Sequence, residues 1–287
     1  MKSTRFVFAL MLLPAVVVTT SSIRAQAIPT CLGMRATIVG TSGVDTIYGT
    51  NGSDVIVGLG NQDLLFGGGG VDRICGGEGS DLLRGDAGND LIDGGIDSDT
   101  IDGGHGRDTL YGREGADHLN GDGEDDRLYA GPGLAGSPYG GGDVLTGGSG
   151  SDLLVGGPED DQLVGEAGND RVSGNDGDDG LAGGAGADVI QGGAGKDRID
   201  GFAIYATSDD GKDVVHGGDG ADVIFGDRGD DALYGDDGND ELYGDLEVPS
   251  PHDGDDLLDG GPGADTLTGG GGADTCTGGE TTSDCES

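Results

Sequence analysis

The chain has 287 residues, with 55 acidic against 14 basic side chains, a formal net charge of −41, 67 glycines and no tryptophan. So acidic a surface argues against nucleic acid as a partner, because phosphate would be repelled. Aromatic residues make up only 4 %, so the chain is expected to be largely disordered until its acids are neutralised.

Residues 1–27 read as a secretory signal peptide. Lys2 and Arg5 form a basic start, Phe6 to Val18 is apolar apart from Pro14, and Ala25-Gln26-Ala27 is a small-x-small cleavage site. The 13-residue apolar run is too short to cross a bilayer. Cleavage is expected after Ala27, the mature chain is expected to be secreted, and no membrane span is expected elsewhere. Residues 28–39 are expected to form an N-terminal cap.

From residue 40 to residue 277 the chain repeats one nine-residue phrase 24 times, G-G-x-G-x-D-x-U-x with U apolar; Gly76-Gly77-Glu78-Gly79-Ser80-Asp81-Leu82-Leu83-Arg84 is a clean copy. The aspartates of the phrase are Asp45, Asp54, Asp63, Asp72, Asp81, Asp90, Asp99, Asp108, Asp117 and Asp126, then Asp143, Asp152, Asp161, Asp170, Asp179, Asp188 and Asp197, then Asp213, Asp222, Asp231 and Asp240, and last Asp256, Asp265 and Asp274. Three spacings depart from nine, being 17, 16 and 16, and each is a repeat plus an insertion. The insertions, around Pro132 to Gly140, Phe202 to Asp209 and Leu246 to Asp253, are expected to loop out at coil edges.

Two residues after every aspartate stands an apolar side chain, from Ile47, Ile56 and Leu65 to Leu267 and Cys276, while the residues on either side of it vary freely. One inward side chain flanked by mostly outward ones is strand alternation over about three residues. The six residues between strands carry up to three glycines, which leaves little room for helix and allows positive φ. One repeat buries nothing alone. Two repeats make a coil of turn, strand, turn and strand, and coils stack as parallel strands about 4.8 Å apart. The reading is all-β: a parallel β-roll, or β-helix solenoid, of 24 repeats in about 12 coils, about 55–60 Å long at that spacing. Its core is one residue thick per strand, too thin to hold the fold unaided against an ordering cost of about 1.5 kcal/mol per residue.

The phrase resembles the repeats-in-toxin calcium-binding nonapeptide, and the resemblance spans 238 of the 287 residues. It implies calcium held between the turns of neighbouring coils, with the 24 phased aspartates giving carboxylate oxygen and loop residues giving carbonyls. Each aspartate would pair with the one two repeats on. Among relatives of that kind the chain looks like the small calcium-binding proteins that are nearly all repeat, since family members usually leave by a one-step route with a C-terminal signal.

The residues support the same ion. All repeated ligands are oxygen, which suits the six to eight flexible contacts of calcium. Zinc would want His or Cys at short spacing, and His105, His118, His216 and His252 make no cluster. Removing Lys2, Arg5 and Arg24 with the signal takes −41 to −44, and calcium at all 22 pairs of aspartates two repeats apart would carry +44. Sites are expected to be weak where Asn61, Asp97, Glu124 or Glu159 replaces the fourth-position glycine, or Pro138, Ser208 or Pro251 the first.

Residues 278–287 are expected to form a C-terminal cap or tail. Four cysteines fit an oxidising destination. Of the three possible connectivities, Cys31–Cys75 with Cys276–Cys285 is favoured, because the rod separates the two pairs and terminal coils need capping. No catalytic residues are assigned: neither H-E-x-x-H nor G-x-S-x-G occurs, and the space outside the repeat is too short for an enzyme domain. The expected function is extracellular calcium binding in a structural or surface role. The alternatives are a calcium-dependent adhesin module for cell-surface or matrix glycans, or a secretion or folding appendage of a lost toxin or exoenzyme domain. The glycan reading rests on Tyr48/Phe66, Tyr111/Tyr129 and Phe225/Tyr243, each pair 18 residues apart and expected to stack on one face. Its bland counterpart is ordinary cross-strand packing.

Overall fold

The computed structural model describes residues 28–131, 142–201, 211–245 and 254–285, and the signal segment, the insertions, Pro138, Ser208 and Pro251 lie outside them. No helix occurs among the described residues. Two parallel 13-stranded sheets face each other, and successive strands of the chain alternate between them. One sheet runs from Ile38–Val39 to Thr275–Thr277 and the other from Thr46–Tyr48 to Thr281–Ser283. The 24 repeats give twelve turns of the roll, and residues 38–39 and 281–283 add one strand at each end.

The register is set by the apolar position. Leu65 lies opposite Leu83, and Leu83 opposite Ile101, 18 residues on. Across the insertions the step lengthens and the pairing does not slip: Leu119 meets Leu145, Ile190 meets Val215, and Leu233 meets Leu258. A slip of one residue would turn every apolar side chain outward, so the coils flanking each insertion stack as if adjacent. From Ile56 to Leu267 the apolar residues are at most 3 % exposed, forming a single core cluster to which Ile47 and Cys276 contribute partly buried ends.

One detail differs from the sequence reading. Many strands hold six residues, such as Leu82–Ala87, because inter-coil pairing resumes in the turn: Asp86 pairs with Gly68 and Ala87 with Gly69. A positive φ at the second turn residue, 72° at Asp86 and 99° at Gly68, turns the corner while keeping stacked coils parallel. Of the N-terminal segment, residues 30–35 lie on the side of the roll and residues 38–39 form its first strand. Thr30–Cys31 and Met34–Arg35 form a small antiparallel hairpin, and Cys31 packs with Val55 and Val57, the outward neighbours of core residue Ile56.

Both disulfides are the favoured ones. Cys31–Cys75 spans 5.6 Å between Cα atoms and Cys276–Cys285 spans 5.8 Å. Cys75 follows core residue Ile74 and faces outward, so the first bond straps the hairpin to the sheet's outer face. Cys276 stands at an apolar position, so the second bond closes the core at the C-terminal end.

Candidate metal centres

Every turn brings its aspartate inward, since the strand that follows must present the residue two positions later to the core. All the phased aspartates but Asp45 are buried. Their backbones are committed: the carbonyl of Asp63 accepts from the N–H of Leu82, and the same bond recurs along the roll. One carboxylate oxygen is committed too. The N–H of each aspartate donates to Oδ1 of the aspartate one coil on, at 2.6–3.0 Å, from Asp45 to Asp63 through Asp256 to Asp274. The structure thus draws the 24 predicted residues into two columns, each aspartate joined to the one two repeats later.

The second oxygen is the unusual one. Oδ2 is buried and without a hydrogen-bond partner in Asp63, Asp72, Asp81, Asp90, Asp99 and Asp108, and the same holds further along in Asp152, Asp170 and Asp188. A buried carboxylate oxygen left unpaired costs free energy that folding must offset, and a repeated orphan of this kind is an offer of ligands. Each Oδ2 faces the first glycine of its own turn. A Cβ on Gly147 would stand 2.6 Å from Asp152 Oδ2 and 2.7 Å from the carbonyl oxygen of Gly165. On Gly183 it would stand 2.5 Å from Asp188 Oδ2 and 2.8 Å from the carbonyl oxygen of Gly201. The first-position glycine therefore keeps open an oxygen-lined cradle between stacked turns.

The electrostatics match. Burial, reinforced by neighbouring carboxylates and opposed by the N–H of the preceding coil, pushes Asp99, Asp126 and Asp143 up to about 8. The same causes take Asp90, Asp170 and Asp179 to about 7. Such a site needs a cation or a proton. Among the described residues no three His, Cys, Asp or Glu side chains converge on one point. A bound ion would therefore take much of its shell from backbone carbonyls, which suits a hard cation with oxygen ligands and not zinc. The carboxylates and carbonyls present fit calcium.

Sequence reasoning located the aspartates but not the carbonyl of the next coil's first-position residue. That oxygen comes from glycine in most turns and from Ala130 above Gly112. Three of the four fourth-position substitutions leave the turn intact: Asn61, Asp97 and Glu124 take φ of 70°, 77° and 72°, the conformation glycine would have supplied. The aspartates of those turns, Asp63, Asp99 and Asp126, keep an unpartnered Oδ2.

The aromatic pairs stack with centroids 4.9 Å apart for Tyr48/Phe66, 5.1 Å for Tyr111/Tyr129 and 5.0 Å for Phe225/Tyr243, and His216 stacks on Tyr234 at 4.5 Å. They do not share one face of the molecule, since Tyr111/Tyr129 and His216/Tyr234 lie on one sheet and the other two pairs on the opposite one. Arg113 covers Tyr111 at 4.5 Å and Arg198 covers Phe225 at 4.7 Å, so those rings meet neighbours on both faces. The geometry is that of cross-strand packing.

No curated protein matches the chain. The RTX calcium-binding nonapeptide repeat matches it over residues 39–74, 76–110, 102–133, 139–172, 173–201, 207–245 and 252–281. With the phrase, the two-sheet roll and the columns of open carboxylates in place, the chain belongs to the family of RTX calcium-binding nonapeptide repeat proteins.

Proposed function

We propose that this protein is an exported calcium-binding roll with a structural or surface role and no catalytic activity, and that calcium drives its folding. The observation that carries the reading is the repeated orphan: a buried Asp Oδ2 opposite the next coil's carbonyl, turn after turn. With no cation, these carboxylates repel one another along each column, and the core of single apolar residues offers little compensation. A cation bound only by the folded coils stabilises them by RT ln(1 + [L]/Kd) per site. Extracellular calcium modules work at Kd of roughly 10⁻⁴–10⁻³ M, so the chain would stay open before export and close after it. The signal-like residues 1–27 and the two disulfides support an oxidising destination.

A calcium titration followed by far-UV circular dichroism, starting in chelator with magnesium as control, tests the proposal. The β-sheet signal should grow cooperatively with calcium and not with magnesium. A chain already fully β-structured in chelator would defeat folding on calcium, and the absence of calcium uptake by calorimetry would defeat the reading altogether.

A further inference from the structure

Three described turns differ from the rest. In the turn 40–45 the N–H of Thr41 donates to Asp45 Oδ2 at 2.5 Å and its hydroxyl donates at 2.9 Å. In the turn 49–54 the N–H of Thr50 donates to Asp54 Oδ2 at 2.7 Å and its hydroxyl at 2.8 Å. In the turn 156–161 the N–H of Gly157 donates to Asp161 Oδ2 at 2.5 Å. The oxygen left open in Asp63, Asp72 and Asp81, for example, is closed here by the turn itself.

The cause lies at the second turn position. In the other described turns that residue has positive φ, whether glycine, as Gly68 at 99°, or not, as Leu59 at 93°, Arg113 at 84° and Glu166 at 76°. Positive φ turns its N–H away from the carboxylate. Thr41 and Thr50 are the only β-branched residues at this position among the described turns, and positive φ is a genuine outlier for a β-branched side chain. Their N–H groups stay turned inward and donate to the side chain of the aspartate four residues on. Gly157 reaches the same state in a turn that has Pro158 next and Glu159 in the fourth position. Gly261 also precedes a proline, Pro262, yet keeps φ at 82° with Gly263 in the fourth position.

We propose that Thr41 and Thr50 shut the first two turns of the roll to calcium, so that the ion array begins on the third turn. The inference rests on the calcium reading and refines it, since two of the family's own aspartates, Asp45 and Asp54, become structural caps. An ion seeking Asp54 Oδ2 would have to displace two hydrogen bonds and would face an inward N–H, which repels a cation. The result is a first coil whose acids are satisfied within the turn.

The test is calcium stoichiometry by calorimetry on the full mature chain and three variants, with far-UV circular dichroism in calcium as the check of folding. Thr50→Gly frees the second position to take positive φ and should bind about one more ion than the wild type, as should Thr41→Gly at its own turn. Thr50→Val stays β-branched and should bind the wild-type number. Equal stoichiometry in the wild type and both glycine variants, all folded, would overturn the proposal. If only one glycine variant folds, its count decides alone. Absence of calcium uptake by the wild type would instead refute the calcium reading itself.

Discussion

The backbone N–H of Asp117 donates to Oδ1 of Asp143 at 2.6 Å although 26 residues separate them. Leu119 meets Leu145 across the same interval. The column of aspartates and the row of core residues are thus the same register seen on two sides of the chain, and an insertion between repeats disturbs neither. It follows that the carboxylates and the core should respond together to anything that breaks a turn.

Asp188 tests the column in mid-array. Its Oδ1 accepts from Asp170 at 2.8 Å, its N–H donates to Asp213 at 2.8 Å, and its Oδ2 is buried without a partner. Asp188→Ala should remove about one to two bound calcium ions and loosen the neighbouring coils. Asp176→Ala, at an exposed turn position outside the column, should leave the calcium count unchanged. Calorimetric titration of both variants checks this, and equal losses would count against the phased aspartates as ligands.

The first-position glycines should be far less tolerant than their number suggests. In Gly147→Ala the new methyl would meet Asp152 Oδ2 at 2.6 Å and a backbone carbonyl at 2.7 Å, closer than real Cβ contacts allow. Either the turn shifts or the cradle closes, so calcium uptake should fall by about one ion and the thermal midpoint should drop. In Gly123→Ala the nearest neighbour, Ser149 Oγ, would be 3.6 Å away, and the variant should behave as wild type. Differential scanning calorimetry with and without calcium separates the two outcomes.

Much of this was legible in the sequence, for a physical reason. A repeat with a fixed period has one solution for all its copies, so the apolar position two residues after each aspartate marks the core from Ile56 to Leu267 and the period of 18 marks the register. Turn conformation was not legible. Asp86 and Arg113 take positive φ where nothing in their side chains asks for it, because stacking on the neighbouring coil imposes it. The same stacking lengthened the strands to six residues. What Thr41 and Thr50 do to Asp45 and Asp54 was not legible either, since it needed the direction of a single N–H. The hairpin at residues 30–35 was not legible for a related reason: Val55 and Val57 look like any outward pair until Cys31 is seen on them.

The two disulfides should not be equivalent. Cys31–Cys75 closes a separation of 44 residues and Cys276–Cys285 one of 9, worth about 4 and about 2.5 kcal/mol in the chain-entropy model. Cys31→Ser with Cys75→Ser should release the hairpin from Val55 and Val57 and fray the first coils. Cys276→Ser with Cys285→Ser should affect only the last. Hydrogen exchange read by mass spectrometry in calcium checks this. Fraying at the C-terminal end in the first variant would contradict the assignment.

Acid should substitute for calcium in part. Burial, with help from neighbouring carboxylates at most of these positions, raises Asp81, Asp108 and Asp188 from 3.8 to about 6, Asp90 and Asp256 to about 7, and Asp99 and Asp126 to about 8 in the ion-free roll. A carboxyl whose pKa is higher folded than unfolded favours the folded state below its unfolded value, and that contribution is lost as pH rises through the folded value. In chelator, therefore, β structure should fall as pH rises from about 4 to about 8, most steeply between about 4 and 6 where all these carboxyls contribute, and should be greater at pH 5 than at pH 8. Calcium needs the charged carboxylate, so protons compete with it: where the roll is folded, it should bind calcium more weakly at pH 5 than at pH 8. Far-UV circular dichroism against pH in chelator tests the first slope, and calorimetric calcium titration of the folded chain at the two pH values tests the second. Ion-free β structure that is flat or rising from pH 5 to 8 would show that the buried aspartates are not what opposes folding.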